Sequence, residues 1–120
     1  MRILIVDHSK AMRMVVRRTL EQAGFGDYEM IEASSGVEAF SMINSESPDL
    51  VLSDWNMPQM KGIQLLEKVR KSGSKVRFGF ITSQSNSVTA RTATETGADF
   101  LLTKPFTVDS MRAVLGPVLV

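Results

Sequence analysis

Four short apolar runs along the chain each stop at a polar or charged residue. The first three stop at Asp7, Asp54 and Thr82, and the fourth stops at Lys104. Continuous apolar runs rich in Val and Ile are typical of strands buried on both faces of a parallel sheet. Parallel strands end at one edge of the sheet, where ligands of open α/β folds bind. We therefore expect the four side chains to share one site.

Segments with apolar residues at helical spacing alternate with these strands and with a further strand at 28–33. Ser9 is the predicted N-cap of the first helix, and residues 35–38 form a capping box that opens the second. Gly24 is expected to end the first helix, and Gly116-Pro117 to fray the last. Five strand–helix units with right-handed crossovers predict an α/β fold, a doubly wound parallel sheet with helices on both faces.

The composition is that of one globular domain of 120 residues, with 43% hydrophobic and 22% charged residues. No apolar stretch approaches the roughly 18 residues of a spanning helix. The N-terminus enters a predicted strand directly, so we expect no signal peptide. We expect no contact with the membrane and a cytoplasmic location. The chain has no Cys, which excludes disulfides and thiolate chemistry.

A net charge of +1 gives no electrostatic reason to expect nucleic-acid binding. Arg13, Arg17 and Arg18 form a local basic cluster on the first helix. We interpret this cluster as the solvated face of the helix rather than as a binding patch.

The strand-end residues suggest phosphate chemistry. Asp54 ends a buried strand and opens into a polar loop, where a carboxylate is a possible nucleophile toward phosphorus; on position alone, an Asp that caps the loop is an equal alternative. Two acids at strand ends, Asp7 and Asp54, repel one another and indicate a cation between them. The Lys104 ammonium and the Thr82 hydroxyl suit the oxygens of a phosphoryl group.

The chain resembles the receiver domains of bacterial two-component signalling, most of all the stand-alone, CheY-like response regulators. The resemblance covers residues 1–120 and implies a single receiver domain without an output domain. It also implies a five-stranded (βα)5 flavodoxin-like sheet in the order 2-1-3-4-5. The segments that carry the resemblance are Val6-Asp7-His8-Ser9, Ser53-Asp54-Trp55-Asn56-Met57-Pro58, Thr82-Ser83, Gly97-Ala98-Asp99 and Lys104-Pro105-Phe106.

The resemblance implies that Asp54 accepts a phosphoryl group from a histidine kinase or phosphotransfer protein. Asp7, Asp54 and the backbone carbonyl of Asn56 would hold Mg²⁺. Thr82 and Lys104 would bind the phosphoryl oxygens. Such a protein is a phosphoacceptor that assists its own phosphorylation and dephosphorylation, not an enzyme in the usual sense.

Further family features concern switching. Ser83 is small and leaves room for the phosphoryl group, Gln84 and Asn56 lie where residues tune water access, and the Lys104-Pro105 peptide is expected to be cis. Phosphorylation would change binding to a downstream target through the fourth strand, fourth helix, fifth strand and fifth helix. The protein is expected to be a monomer or weak dimer.

Two residues depart from the family pattern. His8 replaces the second acid, which usually ligates Mg²⁺, and imidazole suits transition metals better. Mg²⁺ binding is therefore expected to be weakened, or replaced by another divalent ion such as Mn²⁺; alternatively, His8 merely packs beside Asp7. Leu101 stands where the family carries a Tyr or Phe that swings inward, and Phe100 should point to the other side of its strand.

Three other functions compete with that of a phosphorylated receiver. A degenerate receiver, acting as a phosphorylation-independent interaction module, is favoured by His8 and Leu101. A phosphohydrolase with an aspartyl nucleophile lacks the general acid two residues after Asp54. Nucleotide binding at Gly24-Phe25-Gly26 lacks the third glycine and the following helix.

Overall fold

The computed structural model describes residues 1–83 and 86–119. Strands and helices alternate along the chain, and a π-helical turn, Glu21–Phe25, follows the first helix. The elements are β1 Arg2–Val6, α1 Lys10–Leu20, β2 Glu29–Ala33, α2 Gly36–Glu46, β3 Leu50–Asp54, α3 Gly62–Lys71, β4 Arg77–Thr82, α4 Ser87–Thr96, β5 Phe100–Thr103 and α5 Val108–Leu119.

The five strands form one parallel sheet in the order β2-β1-β3-β4-β5. This confirms the predicted fold class and strand order. One face of the sheet packs against apolar side chains of α1 and α5, such as Leu20 and Met111. The other face packs against α2, α3 and α4 through residues such as Ile43, Leu66 and Ala93. The helices are thus divided between the two faces, which leaves the carboxyl edge of the sheet for the loops that carry the site.

Side chains at the helix starts fix where the helices begin. The Ser9 hydroxyl accepts a hydrogen bond from the backbone N–H of Met12 at 3.2 Å, as an N-cap does. The Ser35 hydroxyl accepts one from the Glu38 N–H at 3.1 Å. The Glu38 carboxylate reaches back one residue further than a standard capping box, to the N–H of Ser34 at 2.7 Å. Both predicted N-caps are therefore confirmed.

Two expected helix ends differ in detail. Gly24 does break the helical backbone, with a φ of 102°, but it does so inside the π-helical turn rather than at the end of α1. The expected fraying at Gly116-Pro117 is wrong, because α5 continues to Leu119 with Pro117 inside it. Leu119 is only 9% exposed and packs in the same cluster as Leu115, one turn earlier. Burial of this last turn offsets the hydrogen bond that proline cannot donate.

Phe100 and Leu101 lie on opposite faces of the sheet, as predicted. Phe100 packs with the cluster under α1 and α5, and Leu101 packs with the cluster under α2, α3 and α4. Gly79 is the partner of Phe100 across β4 and β5. A Cβ atom at Gly79 would overlap the Phe100 ring, so the glycine is what allows the ring to lie over the sheet. None of the helices in the described part of the chain has the length and apolar content needed to cross a membrane.

Candidate functional site

The register of the sheet brings the two acids together. β1 and β3 pair up to Val6 and Ser53, and the next residue on each strand is an aspartate, Asp7 or Asp54. The two aspartates are 4% and 8% exposed. One ligand atom each from Asp7, His8 and Asp54 can be chosen so that all three lie within 4.8 Å of one another. The predicted acidic cluster at the carboxyl edge of the sheet is therefore present.

Asp7 occupies an electrostatically unfavourable position. Its Oδ1 accepts a hydrogen bond from the Ser9 N–H at 2.9 Å, which stabilises the ionised carboxylate. Burial nevertheless raises the pKa of Asp7 above its ordinary value, and the negative charge of Asp54 raises it further. These effects outweigh the Ser9 hydrogen bond and the nearby Lys104 and His8. Two buried carboxylates this close favour binding of a cation.

Lys104 supplies a positive charge next to Asp54. Its Nζ lies 3.3 Å from Asp54 Oδ1, and the lysine side chain is 24% exposed. The Lys104 backbone N–H donates to the Thr82 carbonyl at 2.7 Å, which connects the end of β5 to the end of β4. The Lys104-Pro105 peptide is cis, as the resemblance implied.

The loop after Asp54 is held by backbone contacts. The Trp55 N–H donates to the Ile81 carbonyl and the Gly62 N–H to the Trp55 carbonyl, both at 3.1 Å. Gly62 is buried against Asp54, since a Cβ atom there would overlap the Asp54 backbone oxygen and lie 2.9 Å from Cε1 of Phe80. The Trp55 ring meets the Phe80 ring edge to face, with centroids 4.8 Å apart. Trp55 is thereby fixed next to the phosphoacceptor candidate and is a natural fluorescent reporter.

The structure places the remaining predicted residues as follows. Thr82 is 1% exposed at the carboxyl end of β4, the strand next to β3. Ser83 is exposed. It lines a groove of about 430 Å³, and Lys104 and Pro105 line the same groove. Asn56 is exposed in the loop after β3, and Gln84 lies outside the described residues.

His8 lies beside the acids without a hydrogen bond to Asp7. Its Nδ1 is 3.7 Å from Asp7 Oδ1, and the imidazole is 54% exposed. A separation of 3.7 Å is too long for a hydrogen bond. The imidazole is therefore not fixed by Asp7 and has room to move toward an ion.

Arg13 contacts the site in a way that the sequence did not predict. Its Nη1 donates to the Asp7 backbone carbonyl at 2.6 Å, and its Nε donates to Glu32 at 2.8 Å. Arg17 donates to the same carboxylate at 2.9 Å. The interpretation of this cluster as a solvated face is wrong for Arg13, whose side chain is 14% exposed; the Arg17 side chain is 39% exposed, and Arg18 is exposed.

The arginine pair changes the electrostatics of Glu32. Partial burial raises the pKa of Glu32, but hydrogen bonds and charge from Arg13 and Arg17 outweigh it and hold the pKa below its usual value. The sequence shows two arginines four residues apart on one face of the predicted first helix and a glutamate in the following strand. It does not show that they meet. Through the hydrogen bond from Arg13 to the Asp7 carbonyl, this network holds the peptide between Asp7 and His8 in place.

Comparisons with known proteins agree with this geometry. The response regulator receiver domain family matches residues 3–116. The chemotaxis protein CheY1 of Helicobacter pylori is 34% identical to the chain, covering 99% of it and 97% of CheY1. A CheY homolog of Campylobacter jejuni is also 34% identical, with 99% of this chain and 92% of the homolog covered. The solved structure of Vibrio cholerae CheY4 superposes with a TM-score of 0.83 at 28% identity, covering 98% of this chain and 95% of CheY4. The chain belongs to the response regulator receiver domain family.

Proposed function

We propose that the protein is a CheY-like response regulator that accepts a phosphoryl group on Asp54. The observation that carries the proposal is the environment of Asp54. Its carboxylate is buried, lies 3.3 Å from the Lys104 ammonium and shares a cluster with Asp7. The phosphodonor is a histidine kinase or a phosphotransfer protein, and a downstream target protein reads the phosphorylated state. The cytoplasmic location and the monomeric or weakly dimeric state stay predictions from the sequence.

In the proposed reaction, a carboxylate oxygen of Asp54 attacks the phosphorus of the donor. A phosphorus–oxygen bond forms as the bond between phosphorus and the donor breaks, and the donor leaves with the bonding electron pair. Lys104 is already paired with Asp54, and it stabilises negative charge on the transferred group. Thr82, at the adjacent strand end, offers its hydroxyl to a phosphoryl oxygen.

Receiver domains generally bind Mg²⁺, and the donor atoms of this site fit that ion only in part. The carboxylates of Asp7 and Asp54 are the hard oxygen ligands that Mg²⁺ requires. The third member of the cluster is an imidazole, which Mg²⁺ does not favour. Asp7, Asp54 and the carbonyl of Asn56 would hold Mg²⁺ with one acidic ligand fewer than an acid pair provides, so its binding is weakened. A bound divalent cation would neutralise charge on the acids and on the incoming phosphoryl group.

The surface formed by β4, α4, β5 and α5 is the proposed partner-binding face. Support comes from α4, in which the buried residues are Thr89 and Ala93, while Val88 is 72% exposed. A helix with so thin an apolar face is weakly docked and readily displaced. Hydrogen exchange with and without a phosphate analogue should change most in α4 and β5. A change confined to α1 and α2 would place the output on another face.

The central claim is tested by exposing the protein to acetyl phosphate with Mg²⁺ or Mn²⁺ and mapping the adduct by mass spectrometry. Asp54→Asn should lose the adduct. Asp49→Asn is the matched control, because Asp49 is exposed and precedes the opposite end of the same strand. An adduct that persists in Asp54→Asn at wild-type yield would remove the proposal.

The alternative function is a phosphorylation-independent interaction module, and the observation that favours it is His8 at the metal cluster. The same experiment separates the two functions. A wild-type protein that takes up no phosphoryl group with either ion, while His8→Asp does, would support the interaction module.

A further inference from the structure

His8 changes the chemistry of the cation site, not only its strength. The cluster combines two carboxylates with one imidazole, and the imidazole belongs to the sole histidine of the chain. We propose that Asp7, His8 and Asp54 form a site for a first-row divalent transition ion, with an imidazole nitrogen as ligand. This inference rests on the proposed function only in sharing its site, since it concerns metal binding without a phosphodonor.

The geometry allows all three side chains to reach one ion. Their ligand atoms lie within 4.8 Å of one another. Ligands on opposite sides of an ion with bonds of about 2.1 Å are about 4.2 Å apart, and neighbouring ligands are closer. Since 4.8 Å is the upper limit of these separations, a small movement of one side chain is enough to bring all three atoms to one ion. His8 can make it, because its imidazole is 54% exposed and is not hydrogen-bonded to Asp7.

The charge of the cluster points the same way. Asp7 and Asp54 carry two negative charges, and the Lys104 ammonium, 3.3 Å from Asp54, offsets one of them. With an imidazole as the third ligand instead of a carboxylate, the cluster attracts a dication less than three acids would. Mg²⁺ depends on this attraction because it gains little from nitrogen. Ions such as Mn²⁺, Co²⁺ and Zn²⁺ form stronger bonds to imidazole and recover part of the loss.

Competing strong ligands for such an ion are scarce in this chain. It contains no Cys and no second His, and these are the residues that ordinarily hold Zn²⁺ together with carboxylates. Binding of Zn²⁺ therefore tests this site with little competition from other residues of the chain. The exposed Lys10, two residues from His8, offers a control substitution that changes local charge without removing a ligand.

The test measures Kd for Zn²⁺ and Mg²⁺ by calorimetry at one pH, in wild type, His8→Asp, His8→Ala and Lys10→Ala. A change of charge acts on both ions nearly equally, whereas a change of ligand type acts on their ratio. We expect His8→Asp to lower the preference for Zn²⁺ over Mg²⁺ at least tenfold, about 1.4 kcal/mol. His8→Ala should weaken Zn²⁺ at least tenfold and Mg²⁺ less than threefold. Lys10→Ala should leave the ratio unchanged.

Nuclear magnetic resonance gives a direct second readout, because the ring nitrogens of the sole histidine are assigned without ambiguity. Saturating Zn²⁺ should shift one ring nitrogen strongly, and saturating Mg²⁺ should not. An unshifted ring, or equal metal preference in wild type and His8→Asp, would overturn the inference. If the metal results are as expected but wild-type protein forms no phosphoryl adduct on Asp54, the proposed function is removed and the metal inference stands.

Discussion

Replacing Gly62 by alanine should damage the fold and the site together. The added Cβ would overlap the backbone oxygen of Asp54 and lie 2.9 Å from Cε1 of Phe80. Overpacking in a core costs about 1–3 kcal/mol, and the upper end applies here because a backbone atom cannot rotate away. Alanine regains up to about 1 kcal/mol by lowering the conformational entropy of the unfolded chain. The net loss is about 2 kcal/mol, which lowers the melting temperature of a domain of this size by about 8 °C.

Thermal unfolding followed by circular dichroism measures this loss. Gly26→Ala is the matched control, because Gly26 has helical backbone angles (φ −66°, ψ −18°) and a Cβ there makes only ordinary contacts of 3.8 Å or more; it should stabilise the protein by up to about 1 kcal/mol. At a temperature where Gly62→Ala is fully folded, its phosphorylation at Asp54 should still be slower than that of wild type. A melting temperature for Gly62→Ala at or above the wild-type value would refute the packing argument.

Three further predictions follow from the charges and the packing. Asp7→Asn should raise the melting temperature at neutral pH without divalent ions, because burial and the charge of Asp54 raise the pKa of Asp7 and disfavour its ionised form. This gain should vanish below pH 3.8, the ordinary value, where wild-type Asp7 is also protonated; a gain independent of pH would contradict the argument. Glu32→Gln should destabilise by about 1–2 kcal/mol at neutral pH. Since the pKa of Glu32 is lowered on folding, the difference in free energy of unfolding between wild type and Glu32→Gln, measured in urea, should narrow as pH falls below 4.5. A difference that does not change with pH would exclude an ionic origin. Gly79→Ala should destabilise the protein, and Phe100→Leu should be less harmful in that background than in wild type; additive effects in this double-mutant cycle would show that the ring is not the obstacle.

The sequence predicted the edge of the sheet well because two simple patterns agree there. Buried parallel strands are apolar throughout, so their ends are marked by the first polar residue. Asp7 and Thr82 occupy such positions, and Asp54 and Lys104 each follow one hydroxyl residue, Ser53 or Thr103. Parallel pairing then brings these ends to one edge, whatever the details of the loops. Cluster formation by the acids and the Lys104–Asp54 ion pair are direct results of that topology.

The sequence was less informative where a long or buried side chain crosses between elements. Helical periodicity placed Arg13 on a polar face, but it does not say which way a flexible side chain bends. The guanidinium donates to the Asp7 carbonyl, and Glu32 on β2 balances its charge. At the other end of the chain, local propensity predicted fraying at Pro117. Burial of Leu119 against the core decides instead in favour of helix.

The position of the aromatic residue on β5 restricts how phosphorylation at Asp54, as proposed, can be coupled to α4. Phe100 packs over Gly79 on the face covered by α1 and α5, and Leu101 occupies the face covered by α4. Successive strand residues face opposite sides, so the ring cannot replace Leu101 without a one-residue slip of β5. That slip would break the hydrogen bond from the Lys104 N–H to the Thr82 carbonyl. In the proposed switch, coupling between Asp54 and α4 would therefore run through Thr82 and Lys104, which a backbone hydrogen bond joins at the site.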